Sequence, residues 1–144
     1  MGRLSTNVDS CALTEEEQIA ARGAVIAIVD DDPGVRKSLA RLLSTVGYRV
    51  ELFASAEEFQ SAAPTTKATC LVVDFNLGDV SGLELVRWLS KAGFDLPIIF
   101  ITGSSDDTVR RQCIEFGCVA FLEKPFLQGR LVEALTNASG STPQ

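Results

Sequence analysis

Apolar residues along this chain alternate between two patterns. Short continuous runs occupy residues 24–29 (AVIAIV), 70–73 (CLVV), 96–101 (LPIIFI) and 119–122 (VAFL). Each is too short for a core helix, and most are rich in β-branched residues, which predicts strands buried on both faces. A weaker run at Val50, Leu52 and Phe53 predicts one more strand. Between the runs, apolar positions recur at helical spacing. Val35, Leu39, Leu42, Leu43 and Val46 share one face, and Phe59 lies on a shorter helix. Leu85, Trp88 and Leu89 share another face, as do Val109, Cys113 and Phe116; the last helix carries Leu127, Arg130, Leu131, Ala134 and Leu135. Start signals precede these stretches: Asp32 before Pro33, Ser55 three residues before Glu58, Ser81 three before Glu84, and Asp106 or a neighbouring serine. Gly47, Gly93 and Gly117 are natural stops. Strand and helix alternate five times, which predicts an α/β fold with a parallel sheet and helices on both faces.

The ends of the chain break this pattern. Residues 1–22 are polar and acidic, and Thr14 to Glu17 fits a capping box, so an extension with a short helix is expected there. The stretch 137–144 is small and polar. The expected organisation is an extension over 1–22, one domain over 23–138 and a tail over 139–144.

Composition narrows the chemistry. A chain of 144 residues, 46% of them hydrophobic, is enough for one domain with a proper core. No run approaches a membrane span, and the start does not read as a signal peptide. Net charge is −6, so direct nucleic-acid binding by this chain is not expected. The four cysteines, Cys11, Cys70, Cys113 and Cys118, form no CxxC pair; buried reduced thiols and a cytoplasmic location are expected. There is no histidine, which removes Ser-His-Asp and Cys-His catalysis and the common zinc sites. Neither GxGxxG nor GxxxxGK[ST] occurs.

Chemistry is left to carboxylates, hydroxyls and lysine, and these stand at strand ends. The first strand ends in Asp30 and Asp31, the third in Asp74, the fourth in Thr102 and the fifth in Lys124. Each has an ordinary reading: aspartates start turns and cap helices, Thr102-Gly103 can be a strand exit, and Lys124 a surface lysine. In a parallel sheet, however, all these ends point to one edge, where open α/β sheets bind ligands. Three carboxylates within about 4 Å repel by ~4 kcal/mol per pair at a partly buried site, so they take up protons or hold a cation. An all-oxygen site suits Mg²⁺. Lysine and a hydroxyl suit phosphoryl oxygens, and the Asp74 carboxylate suits a nucleophile toward phosphorus.

The segments IVDDD, LVVDFNLGDVSG, FITGS and FLEKPF, in that order, resemble the response-regulator receiver domain of two-component systems, in the style of its FixJ-type subgroup. The resemblance covers residues 24–137. It implies a flavodoxin-like (CheY-like) doubly wound sheet of five strands in order 2-1-3-4-5. It implies that Asp74 accepts a phosphoryl group from a histidine kinase, and that Asp31, Asp74 and the backbone carbonyl of Asn76 ligate Mg²⁺, with Asp30 acting through water. Thr102 and Lys124 would bind phosphoryl oxygens, and the bond before Pro125 would be cis. Phe121 matches the aromatic switch position that responds to Thr102, and Asn76 and Ser104 match positions that tune the lifetime of the phosphoaspartate. The fourth helix, fifth strand and fifth helix would form the face for a downstream protein or a second copy.

The chain departs from that pattern at Gly78, where many receivers have proline and where a more flexible loop is expected. Asp32 replaces a frequent glutamate. FixJ-type regulators continue into a DNA-binding domain, and 144 residues leave no room for one, so a stand-alone receiver or a fragment is expected. Two other readings compete. An aspartate-nucleophile phosphatase of the haloacid-dehalogenase type would want DxD where this chain has Asp74-Phe75-Asn76. An interaction module that signals without phosphate would have lost an acid, the hydroxyl or the lysine.

Overall fold

The computed structural model describes residues 24–77, 80–103, 107–124 and 128–140. The proposed extension, Gly78, Asp79, Ser104, Asp106 and Pro125 lie outside these residues, and so do the expectations placed on them.

Five strands form one parallel sheet. They are β1 (Val25–Val29), β2 (Arg49–Phe53), β3 (Cys70–Asp74), β6 (Ile98–Thr102) and β7 (Ala120–Glu123). Their spatial order is β2-β1-β3-β6-β7, which is the expected 2-1-3-4-5 once two short strands are set aside. Those two, β4 (Asn76–Leu77) and β5 (Val80–Ser81), form a small antiparallel pair, with Asn76 opposite Ser81 and Leu77 opposite Val80. Residues on either side of Gly78 are therefore paired with each other. The helices are α1 (Pro33–Val46), α2 (Ala56–Ala62), α3 (Gly82–Lys91), α4 (Asp107–Phe116) and α5 (Gln128–Gly140).

Successive strand residues point to opposite faces, and this period sorts the core into two layers. Ile26, Ile28, Val72, Ile99 and Ile101 pack with Leu39 and Leu43 of α1 and Leu131 and Leu135 of α5. Ala27, Val29, Leu71, Val73 and Phe100 pack with Phe59 of α2, Leu85 and Leu89 of α3 and Cys113 of α4. Strands β3 and β6 are buried along their whole length, whereas β2 and β7, at the two edges, are only partly covered. Each fully buried Ile or Val contributes about 1.5–3 kcal/mol relative to exposure, so the central strands form a rigid base for whatever their ends carry.

The caps form largely as expected. Asp32 accepts hydrogen bonds from the Gly34 and Val35 amides at 2.8 and 3.4 Å. Ser55 accepts from the Glu58 amide at 3.1 Å, and Glu58 reaches back one residue further than in a standard box, to the Ala54 amide at 2.8 Å. Ser81 caps α3 through the Glu84 amide at 3.1 Å. Gly47 closes α1 in the left-handed region, with φ 118°.

One apolar position of a helix and the extent of the last helix differ from expectation. Trp88 is not within the core face of α3; it is 37% exposed and stacks on Phe94 with ring centroids 6.3 Å apart, while Val86 is buried in its place. The last helix runs on to Gly140 through the small polar stretch, because Ala138 is buried against the core. Cys70 and Cys113 are buried and Cys118 is half-buried, all as free thiols. Burial pushes Cys70 and Cys113 up to about 12, far from the reactive range.

Candidate functional site

The parallel sheet delivers its carboxyl ends to one edge. Asp30 follows β1, Asp74 is the last residue of β3, Thr102 is the last of β6, and Lys124 follows β7. Asp30, Asp74 and Thr102 are the buried polar side chains of the described core. Asp31 is exposed beside them. Carboxylate oxygens of Asp30, Asp31 and Asp74 all lie within 4.8 Å of one another.

Lys124 ties the group together. Its Nζ lies 3.1 Å from Asp74 Oδ2 and 3.3 Å from Asp30 Oδ2, with its own side chain 27% exposed. The remaining oxygens are held by backbone. Asp30 Oδ1 accepts from the Asp32 amide at 2.9 Å, and Asp74 Oδ1 accepts from the Asn76 amide at 3.0 Å. The lysine is placed by sheet register: its amide donates to the Thr102 carbonyl at 2.7 Å, one step beyond the pairing of Thr102 with Glu123. Thr102 and Lys124 are therefore tied backbone to backbone at the end of the β6–β7 pair.

The electrostatics show an excess of negative charge. Burial raises the Asp30 carboxyl above its ordinary value, and the nearby Asp74 charge adds to this; the Asp32 amide and Lys124 only partly offset it. For Lys124, burial works against the ammonium, but the hydrogen bond and charge of Asp74, then Asp30, outweigh it and hold the lysine above its ordinary value. One ammonium bridges two of the three carboxylates, and the donor set is all oxygen. That chemistry fits a hard divalent cation.

Other expected residues lie nearby in less telling positions. The Asn76 side chain is exposed at the site's rim. Phe121 lies on β7 opposite Phe100 and is half-buried against the core. Ser104 and Pro125 lie outside the described residues.

Two residues at the site were not singled out from the sequence. Gly82 opens α3 against the end of β3, and its amide donates to the Phe75 carbonyl at 2.7 Å. A Cβ there would stand 2.6 Å from Val73 Cγ1 and closer still to the Asp74 carbonyl oxygen. The signal was available: a glycine inside a helix whose cap is already supplied by Ser81 suggests a close backbone approach. Arg36 is the other. Its Nη1 donates to the Asp30 carbonyl at 2.8 Å, and nothing in the sequence separates it from a surface arginine.

Comparison with known proteins agrees with this geometry. The family model described as "Response regulator receiver domain" matches residues 26–136. The transcriptional regulatory protein FixJ of Rhizobium meliloti is 40% identical over 114 residues, spanning 79% of this chain and 56% of that protein. The response regulator protein TodT of Pseudomonas putida is 37% identical over 123 residues, spanning 85% and 54%. The chain thus spans about half the length of these relatives. A crystal structure of FixJ-N superposes with a TM-score of 0.79 at 37% identity, covering 85% of this chain and 98% of that one. With the fold, the strand-end acids and the family match in agreement, this chain belongs to the receiver-domain family of two-component response regulators.

Proposed function

We propose that this receiver takes a phosphoryl group onto Asp74 from the phosphohistidine of a histidine kinase. The observation that carries this reading is the Lys124 amino group bridging Asp74 and Asp30 at 3.1 and 3.3 Å, beside Asp31 at the carboxyl edge of the sheet. An Asp74 carboxylate oxygen attacks phosphorus in line, the phosphorus–nitrogen bond breaks, and the imidazole leaves with that electron pair. Lys124 and the Thr102 hydroxyl stabilise charge on the transferring phosphoryl oxygens. Asp74 is already hydrogen-bonded from two sides, so little reorganisation is needed before attack. Mg²⁺, held by Asp31, Asp74 and the Asn76 carbonyl with Asp30 acting through water, would neutralise the charge between carboxylates and phosphoryl oxygens. The chain's chemistry is autocatalytic in this limited sense, with slow hydrolysis of its own acyl phosphate.

The output is a change of surface. Thr102 drawn toward the phosphoryl group pulls on the β6–β7 unit, and Phe121 lies on that unit. The face of α4, β7 and α5 then engages a downstream protein or a second copy; Ile114 on α4, 59% exposed, and Val119 before β7 are apolar side chains available there.

Incubation with acetyl phosphate and Mg²⁺ followed by intact-mass measurement tests the reading. A gain of one phosphoryl group, absent in Asp74→Asn, supports it. No gain where a control receiver is phosphorylated refutes it.

A further inference from the structure

Three carboxylates make the acidic cluster, and two of them are held by their own side chains. Asp30 is fixed by the Asp32 amide and Lys124; Asp74 is fixed by the Asn76 amide and Lys124. The Asp31 carboxylate is exposed, and no hydrogen bond to it is found among the described residues. Its position depends on the backbone that carries it.

That backbone is one peptide beyond the sheet. The Asp30 amide still donates to the Phe53 carbonyl of β2 at 3.1 Å, one residue past Val29 and Phe53, the last pair in the register of the two strands. The Asp30 carbonyl is left beyond the ladder, and Arg36 Nη1 takes it at 2.8 Å. A peptide unit is planar, so fixing this carbonyl fixes the plane that ends at the Asp31 Cα. Arg36 is itself anchored: it is half-buried, and its amide donates to the Asp32 carbonyl at 3.0 Å in the first turn of α1. We propose that Arg36 is a positioning residue that orients the Asp30–Asp31 peptide and so aims Asp31 at the cation site. The inference rests on the Mg²⁺ part of the reading above and goes beyond it by naming what presets the exposed ligand.

Charge and position predict opposite signs. A guanidinium beside a cation site repels the cation, so if only its charge mattered, its removal would tighten Mg²⁺ binding. If it positions a ligand, its removal weakens binding, and loss of such an outer partner typically costs ten- to a hundredfold in affinity.

The test is Mg²⁺ titration of the full chain by calorimetry, with Arg36→Met, Arg36→Gln and Arg36→Lys compared with wild type. Met and Gln remove both the charge and the bond, and two variants guard against misfolding of one; near-ultraviolet circular dichroism checks each fold. The expected result is roughly tenfold weaker Mg²⁺ binding in Met and Gln and recovery of most of it in Lys. Phosphoryl uptake from acetyl phosphate should be slowed at low Mg²⁺ and restored at saturating Mg²⁺, with the half-saturating donor concentration unchanged. Unchanged or tighter Mg²⁺ binding in Met and Gln overturns the proposal, as does a defect that lies in donor concentration and persists at saturating Mg²⁺. The functional reading fails separately: a wild-type chain that binds Mg²⁺ yet gains no phosphoryl group refutes phosphoryl acceptance, while the calorimetric comparison still decides the role of Arg36.

Discussion

At the scale of single residues, the site is under electrostatic load before any ligand arrives. The folded state binds the Asp30 proton more tightly than the unfolded chain does, because burial and Asp74 disfavour its charge. Its contribution to stability is therefore full below the ordinary carboxyl value of 3.8 and is lost as pH rises through the higher folded value. Asp30→Asn should raise the melting temperature of the metal-free protein near neutral pH, and the gain should vanish by about pH 3.5. Thermal melts in EDTA across that range check this; a variant less stable than wild type at neutral pH would contradict it. The Lys124 linkage has the same sign but acts at alkaline pH. Its contribution is present below 10.5 and lost as pH rises through its raised folded value. Lys124→Ala strands the buried Asp30 and Asp74 carboxylates and should cost about 1–3 kcal/mol at pH 7, less than a fully buried pair because the lysine is partly exposed. Urea unfolding measures it. Mg²⁺ should recover part of that loss, since a cation does the neutralising work of the missing ammonium.

At the scale of elements, what the sequence made legible is what local chemistry decides. Asp32, Ser55 and Ser81 cap helices because a side-chain oxygen within three residues of free amides is enough to do so. The strand-end placement of Asp30, Asp31, Asp74, Thr102 and Lys124 was legible because a parallel sheet aligns its ends whatever the helices do. Less legible were features set by contact between distant elements. Trp88 has the spacing of a core residue, but α3 meets the sheet through Val86, and the indole is left stacked on Phe94 at the rim. Gly82 reads as part of a helix start, yet its lack of a side chain is what lets α3 close onto the Asp74 backbone. Gly82→Ala should therefore push α3 away from β3. The expected cost is about 1–3 kcal/mol by urea unfolding, as for other overpacked sites, together with slower phosphoryl uptake because Asp74 is displaced. An alanine variant with wild-type stability and uptake would mean that the helix can shift freely there.

At the scale of the whole molecule, the acidic cluster lies where the two layers of the core meet. Asp30 and Asp31 sit in the turn between β1 and α1, on the side packed by α1 and α5. Asp74 leads through the β4–β5 pair into α3, on the side packed by α2, α3 and α4. Lys124 joins both from the last strand, 94 residues from Asp30. A cation bound among these acids would bridge elements that unfolding must separate, so its binding energy adds directly to global stability. At a hundred times its dissociation constant, Mg²⁺ should contribute about 2.7 kcal/mol. For a chain of this size that corresponds to a rise of roughly 6–10 °C in melting temperature. Asp31→Asn should shrink the rise without lowering the metal-free melting temperature, because Asp31 is exposed and holds nothing else in place. Asp74→Asn should shrink it too, but from a lower start, since it also weakens the partner of Lys124. Thermal melts of the three proteins over a Mg²⁺ series separate these outcomes. An equal rise in all three would mean that Mg²⁺ stabilises the chain somewhere other than at the ends of β1 and β3.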